Sequence, residues 1–224
     1  MEDKLINVDK LSRFWHNMSS MTSIAGYYNI NLLHNADWGY SLVNQRNHTG
    51  SVTNTYCIDR WIGNGSVTPS SGSHIALTSN TTMTQRMEII PNVLVDKAVV
   101  FAYEDNLGNI QTVNLVFPST ASGSVQTTCG SLTVAIGFLS GTFTLCNVSC
   151  AAVPYITLRA NAAVNIRRVW LELGSICHMI TTPPIDYLIN TSICQRYLTP
   201  ITELLRVPAN IENSYYYARL SFQT

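Results

Sequence analysis

Arg168, Trp170 and Glu172 alternate within the stretch Asn165–Gly174, Asn-Ile-Arg-Arg-Val-Trp-Leu-Glu-Leu-Gly. Dense in β-branched and large apolar residues and closed by a glycine, the stretch reads as a strand ending in a turn. Successive side chains on a strand point to opposite faces, so Val169, Leu171 and Leu173 form one face and Arg168, Trp170 and Glu172 the other. A carboxylate, a guanidinium and an indole in a row can act as a catalytic acid and its support, or as a structural tie. A buried carboxylate needs a partner. Arg168, four residues along an extended strand, is too distant to be the first choice, so Glu172 is expected to pair with Arg60 first and Arg86 second.

The wider inventory favours ties over catalysis. No G-x-S-x-G elbow occurs. The histidines at 16, 34, 48, 74 and 178 lack metal-ligand spacing. A glycosidase would need two facing carboxylates, and Asp37, Asp59, Glu88, Asp96, Glu104, Asp105 and Glu172 are available. Asp59, Glu88 and Glu172, however, sit in apolar or arginine-bearing motifs, where the expected role is pairing with Arg46, Arg60, Arg86 or Arg168. No D-x-D-x-D-G series suggests a calcium loop, and no cofactor or metal is expected. Sugar binding would use exposed aromatics: Tyr40, Trp61, Tyr215 and Tyr217 are the candidates, with Trp38 and Trp61 also suited to a core. Alternate members of Tyr215–Tyr217 must face opposite ways.

Composition narrows the class. The 224 residues are 46% hydrophobic and only 12% charged, with a formal net charge of zero. So little charge suits a protein partly covered by copies of itself or by partners. A nucleic-acid binder would carry a basic stripe, and no run approaches the roughly 18 apolar residues of a membrane helix. The opening Met1-Glu-Asp-Lys-Leu has no apolar signal core. Cysteines 57, 129, 146, 150, 177 and 194 form no C-x-x-C pair, and Cys146 and Cys150 have no second pair to complete a zinc site. Reduced, buried thiols are expected. The Asn-x-Ser/Thr sequons at 17, 47, 64, 80, 147 and 190 fit an Asn/Ser/Thr-rich β protein.

Three segments should position these residues. Residues 1–26 hold an amphipathic helix over 4–22, with Leu11, Phe14, Trp15 and Met18 at three- and four-residue steps. A helix this short is marginal in isolation, so it should dock on its own domain or, as its terminal place favours, on copies of itself as a small coiled coil. Residues 27–178 read as an all-β sandwich or barrel, with strands expected at 29–34, 54–62, 74–78, 82–90, 94–103, 110–117, 131–139, 142–146, 154–159 and 164–173. Turn signals at Gly63-Asn-Gly, Pro69-Ser-Ser-Gly, Asp105–Asn109, Ser119–Gly123 and Ser140-Gly141 separate them. Residues 179–224 form an extension, with a short helix within 185–197 and a final strand over 213–222.

Six motifs appear in a fixed order: Asn31-Leu-Leu-His-Asn-Ala-Asp-Trp38, Val43-Asn-Gln-Arg46, Tyr56-Cys-Ile-Asp-Arg-Trp61, Gln85-Arg-Met-Glu88, Val169-Trp-Leu-Glu-Leu-Gly174 and Cys194-Gln-Arg-Tyr197. In this order they resemble the jelly-roll domain of phage and prophage tail-fibre and receptor-binding proteins, over roughly residues 4–197. The opening Ile6–Trp15 looks like the short helical segment that precedes such domains. The resemblance implies a mainly β, antiparallel jelly-roll β-sandwich, similar to carbohydrate-binding modules, on a virion protein that is not an enzyme. It further implies a homotrimer, attachment to other virion proteins through the N-terminal helix, and adhesion to host-surface carbohydrate. A capsid or neck decoration fibre without receptor binding, or a glycan-cleaving tail enzyme, are the alternatives.

Overall fold

The computed structural model describes residues 30–70, 72–145 and 148–195. The helix expected at 4–22, with Leu11, Phe14, Trp15 and Met18, lies outside them, as do Tyr215, Tyr217 and the final strand. The described chain is mainly β. Its strands are β1 (Gly50–Tyr56), β2 (Ile62–Ser70), β3 (His74–Leu77), β4 (Thr82–Arg86), β5 (Ala98–Asp105), β6 (Ile110–Val116), β7 (Gly123–Cys129), β8 (Leu132–Leu145), β9 (Val148–Ala160) and β10 (Val164–Leu173). Helices are short: α1 (Trp38–Ser41), α2 (Pro91–Leu94) and α3 (Tyr187–Gln195).

All ten strands join one antiparallel sheet, in the order β6-β5-β10-β3-β2-β4-β9-β8-β7, with β1 also paired to β2. The sheet divides at β2. Ile62–Asn64 pairs with β4, whereas Val67–Ser70 pairs with β3. Gly65 lies between the two pairings at φ +113°, and a Cβ there would stand 2.6 Å from Thr81 Oγ1, so the switch point requires glycine. The two arms close on one core: Phe101 and Tyr103 of β5 join Leu132, Val134 and Ile136 of β8 in a single buried cluster. The rings of Phe117 and Phe138 stand 5.4 Å apart, and the Ser131 N–H donates to Tyr103 Oη at 3.0 Å.

Strand alternation explains the core. In β8, Leu132, Val134, Ile136 and Phe138 are buried, while Thr133 and Ala135 are half-buried. Several expected boundaries moved for identifiable reasons. Ser140-Gly141 is no turn: β8 runs through it, with a register shift between Ser140 and Phe143 and Gly141 at φ +154°. The expected strand 54–62 is instead the end of β1, a turn and the start of β2. Its turn closes with Trp61 N–H on Ile58 O and Cys57 N–H on Trp61 O, and Arg60 at φ +73° reverses the chain. Gly63-Asn-Gly, expected as a turn, lies within β2. Pro91 at the first helical position starts α2 where a strand was expected from 94, and β5 begins at Ala98. The polar strand β7 and most of β1 carry too few apolar residues to be legible by alternation.

Candidate functional site

Arg168, Trp170 and Glu172 do share one face of β10, and that face is covered. Residues 175–185 lie across it, with Trp170 packed against Ala102 and Met179 and flanked by Ile110 and Cys177. Glu172 is wholly buried. Its carboxylate accepts from Trp170 Nε1 at 2.7 Å and from the His178 N–H at 3.0 Å, and lies 2.5 Å from His178 Nδ1. The expected arginine partners are therefore corrected: neither Arg60 nor Arg86 reaches Glu172. Arg60 pairs with Glu88 at 3.7 Å and donates to the Arg86 carbonyl at 3.3 Å. Glu172 lies on β10 in the arm where that strand pairs antiparallel with β5, opposite Val100, whereas Arg60 sits in the β1–β2 turn.

Arg168 forms the second tie. Its guanidinium pairs with the Asp37 carboxylate, donates to the carbonyls of Met179 at 2.8 Å and Thr182 at 2.9 Å, and lies 4.8 Å over the Trp170 ring. Asp37 also accepts from the Ile185 N–H at 2.8 Å. Burial pushes the Asp37 carboxyl above its ordinary range, against the opposing pull of Ile185 and Arg168. Both carboxylates on this face are thus used to hold residues 177–185 on the sheet. Of the segment expected as an extension from 179, residues up to Ile185 are laid over β10 and tied to it and to Asp37, and the helix that follows is joined to α1.

The ordered motifs perform a related task with neutral groups. Four side-chain amides each close a two-bond ring on backbone, donating with the NH2 and accepting with the oxygen. Asn31 does this on β10, to Val169 O and Leu171 N–H. Asn35 does it on Val43, Gln85 on His34, and Asn44 on His48. Residues 31–36, which overlap the strand expected at 29–34, run along β10 with two backbone bonds, Leu32 N–H to Leu171 O and Val169 N–H to Ala36 O; Asn31 supplies two more from its side chain. The Asn35 carbonyl accepts from the indoles of Trp38 at 2.6 Å and Trp61 at 3.0 Å. These rings pack edge to face, 5.3 Å apart, and both are fully buried. Trp61 is therefore a core residue and not the glycan platform expected of it. Asp59 is buried and accepts from Gln45 N–H and Nε2 at 2.7 and 3.1 Å, in place of the expected ion pair.

Tyr40 is the expected platform that reaches the surface, at 44% exposure. Its hydroxyl donates to Glu104 at 3.1 Å, and the Arg167 guanidinium, itself 3.4 Å from Glu104, lies 4.7 Å from the ring centroid. One ring face is thus braced. Tyr40 also borders an open groove of about 530 Å3, shared with Asn44, Asn47, His48, Pro69 and Tyr187. Tyr187, the first residue of α3, is 53% exposed. Asn190 brings α3 there: its buried amide donates to Ser41 O at 2.6 Å and Asn35 Oδ1 at 3.2 Å. Sequence reasoning missed Tyr187 because nothing in residues 185–197 marks the turn of helix that approaches α1. Among the described residues no carboxylate lines this groove.

Among the described residues no group of three or more His, Cys, Asp or Glu side chains is placed to hold a metal, and no helix is long and apolar enough to cross a membrane. Cys57 and Cys129 are buried free thiols and Cys177 a half-buried one; Cys194 is buried and Cys150 half-buried, and Cys146 lies outside the described residues. Compared with protein-family models, curated proteins and solved structures, the chain matches none.

Proposed function

We propose that this chain is a phage or prophage virion fibre protein that binds host-surface glycan in the groove between α1 and α3, on a β-sandwich of the jelly-roll type. The observation that carries this reading is the pair Tyr40 and Tyr187, two exposed phenol rings on one open groove with Asn44, Asn47 and His48 beside them. Pyranose rings present an apolar face that stacks on aromatic rings and hydroxyls that pair with amides and imidazole, so this set of groups suits a sugar. The six ordered motifs support the fibre assignment. The bend of the sheet at β2, with both arms on one core, suits a sandwich.

The groove supports binding over cleavage. A glycosidase would place two carboxylates on the scissile bond, and among the described residues the groove lining offers none. Single sites of this kind bind weakly, and a homotrimer attached to the virion through its N-terminal segment would multiply them into avidity. The test is a glycan array with the full chain, followed by saturation-transfer NMR on the hits. Tyr187→Ala should lose the signal while its melting temperature stays within a degree or two, because the ring is exposed. Array signal that survives in both Tyr187→Ala and Tyr40→Ala would place the binding site elsewhere, and a blank array across host polysaccharides would favour the decoration fibre.

A further inference from the structure

From Asn106 to Leu158 the chain has no Asp, Glu, Lys, Arg or His. That run builds all of β6, β7 and β8 and most of β9. β6 and β7 are the two ends of the sheet order, each paired on one side only, and they pack near one another where the arms close. The outer face of β7 and β8 is therefore without charge, while Arg159, opposite Thr133, and Arg86, opposite Tyr155, bound it on the β9 and β4 side. The charged residues that are exposed or half-exposed, such as Arg46, Arg86, Lys97 and Arg159, lie outside this run.

Two features of that uncharged region are unusual for a surface left in water. Free sheet edges present unpaired N–H and C=O groups, and monomeric proteins blunt them with charges, prolines or bulges. β6 (Ile-Gln-Thr-Val-Asn-Leu-Val) and β7 (Gly-Ser-Val-Gln-Thr-Thr-Cys) carry no charge and no proline, and their pairings run in unbroken register. Apolar side chains also remain outside: Val116 on β6, Val125 on β7 and Leu139 on β8 are 49%, 37% and 41% exposed. On the outer face of β7–β8 the register aligns Thr133 with Thr128, Ala135 with Gln126 and Gly137 with Ser124, rows of small or neutral polar groups that Arg159, Thr157 and Tyr155 of β9 continue.

We propose that this uncharged surface, the outer face of β7–β8 with the β6 and β7 edges, is the one through which copies of this chain associate. A charged partner would bring charges that lose hydration there without finding a counter-charge. Another copy brings an equally uncharged surface, so no like charges are brought together, and a net charge of zero leaves no long-range repulsion between copies. The proposal does not depend on whether the groove takes a glycan.

The experiment is sedimentation velocity on the full chain over a concentration series, with Ser124→Glu and Leu139→Glu as variants. Both positions are exposed on the proposed surface. Thr53→Glu, exposed on β1, is the control. The wild type should sediment as an oligomer of the 24.8 kDa chain. The two surface variants should move the association midpoint to roughly tenfold higher concentration or beyond, since like charges brought together across an interface are costly, while Thr53→Glu should not. A wild type that stays monomeric throughout, or an oligomer indifferent to both variants, overturns the proposal. Should circular dichroism show either variant unfolded, hydrogen exchange on the wild type decides. Protection of residues 123–140 that rises with protein concentration supports the interface, and exchange independent of concentration overturns it.

Discussion

The carboxylate of Glu172, with no exposure to solvent, stands 2.5 Å from Nδ1 of His178, a residue of the segment that covers it. Trp170 Nε1 and the His178 N–H complete its donors. Two residue pairs along β10, Arg168 grips the same segment at the carbonyls of Met179 and Thr182. The two ties set the register of residues 177–185 on the strand, because a shifted segment would leave a buried charge unpaired. Glu172→Gln keeps the shape but removes the charge that both nitrogens of His178 address. It should lower stability by about 1–3 kcal/mol, the value of hydrogen bonds to a charged group. Urea unfolding measures this, and glycan binding per folded molecule should not change.

Asn35 is the most connected of the amide clamps. It holds both polar groups of Val43, donates to Asp59 O at 2.8 Å, receives Asn190, and accepts two indoles on its carbonyl. Its φ of +48° adds a conformation that asparagine tolerates better than most residues. Asn35→Ala would strand several buried donors and acceptors, each costing roughly 1–3 kcal/mol. Expression of that variant as insoluble or molten protein is the expected outcome. Gln85→Ala removes one clamp, on His34, and should cost a single increment of about that size in a chemical melt. Equal losses for the two variants would contradict the ranking.

Much of the fold was legible in the chain, and most of the site was not. β3, β6 and β10 were readable because each carries apolar residues or sits against a clear turn, and the face assignment on β10 followed from alternation alone. β7 and β1 were hidden because polar strands at the margin of a sheet bury only one residue each, Cys129 and Val52. The burial of Glu172 was legible, but its partner was not. The sequence shows that a charge needs a counterpart, while the segment that returns over β10 is set by tertiary packing, and the partner proved to be six residues away along the chain. The motifs were visible as a pattern, yet their common role as peptide-mimicking amides emerges only when Asn31, Asn35, Asn44 and Gln85 are seen beside the backbone that they complete.

The thiols should react in order of access and ionisation. Burial pushes the Cys129 thiol up to about 11 and raises Cys57 as well. Cys177 is raised by burial too, but it is only half-buried. Iodoacetamide acts on thiolate. In a timed labelling at pH 8 read by peptide mass spectrometry, Cys177 should modify before Cys57 and Cys129. Early labelling of Cys129 would mean that the β7–β8 turn opens in the native state.

Asp59 gives a pH dependence with a defined sign. Burial raises its carboxyl above the ordinary 3.8, more than the Gln45 donors and the Arg46 charge lower it. The folded state therefore holds the Asp59 proton more tightly than the unfolded chain does. Its stabilising contribution is complete below the unfolded value and is lost as pH rises through the folded one, so the ionised group weighs against folding at neutral pH. In Asp59→Asn the amide oxygen can still accept from the Gln45 N–H, and the side chain does not titrate. The difference in unfolding free energy, variant minus wild type, should be most favourable to the variant near pH 7 and should shrink as pH falls through the carboxylate range. Asp37, whose carboxyl is also raised, is present in both proteins and cancels in the comparison. Denaturant melts at pH 3, 5 and 7 measure the difference directly. A gap that instead widens toward acid would mean that Gln45 and Arg46 outweigh burial at Asp59, and that this carboxylate is held as a stabilising anion.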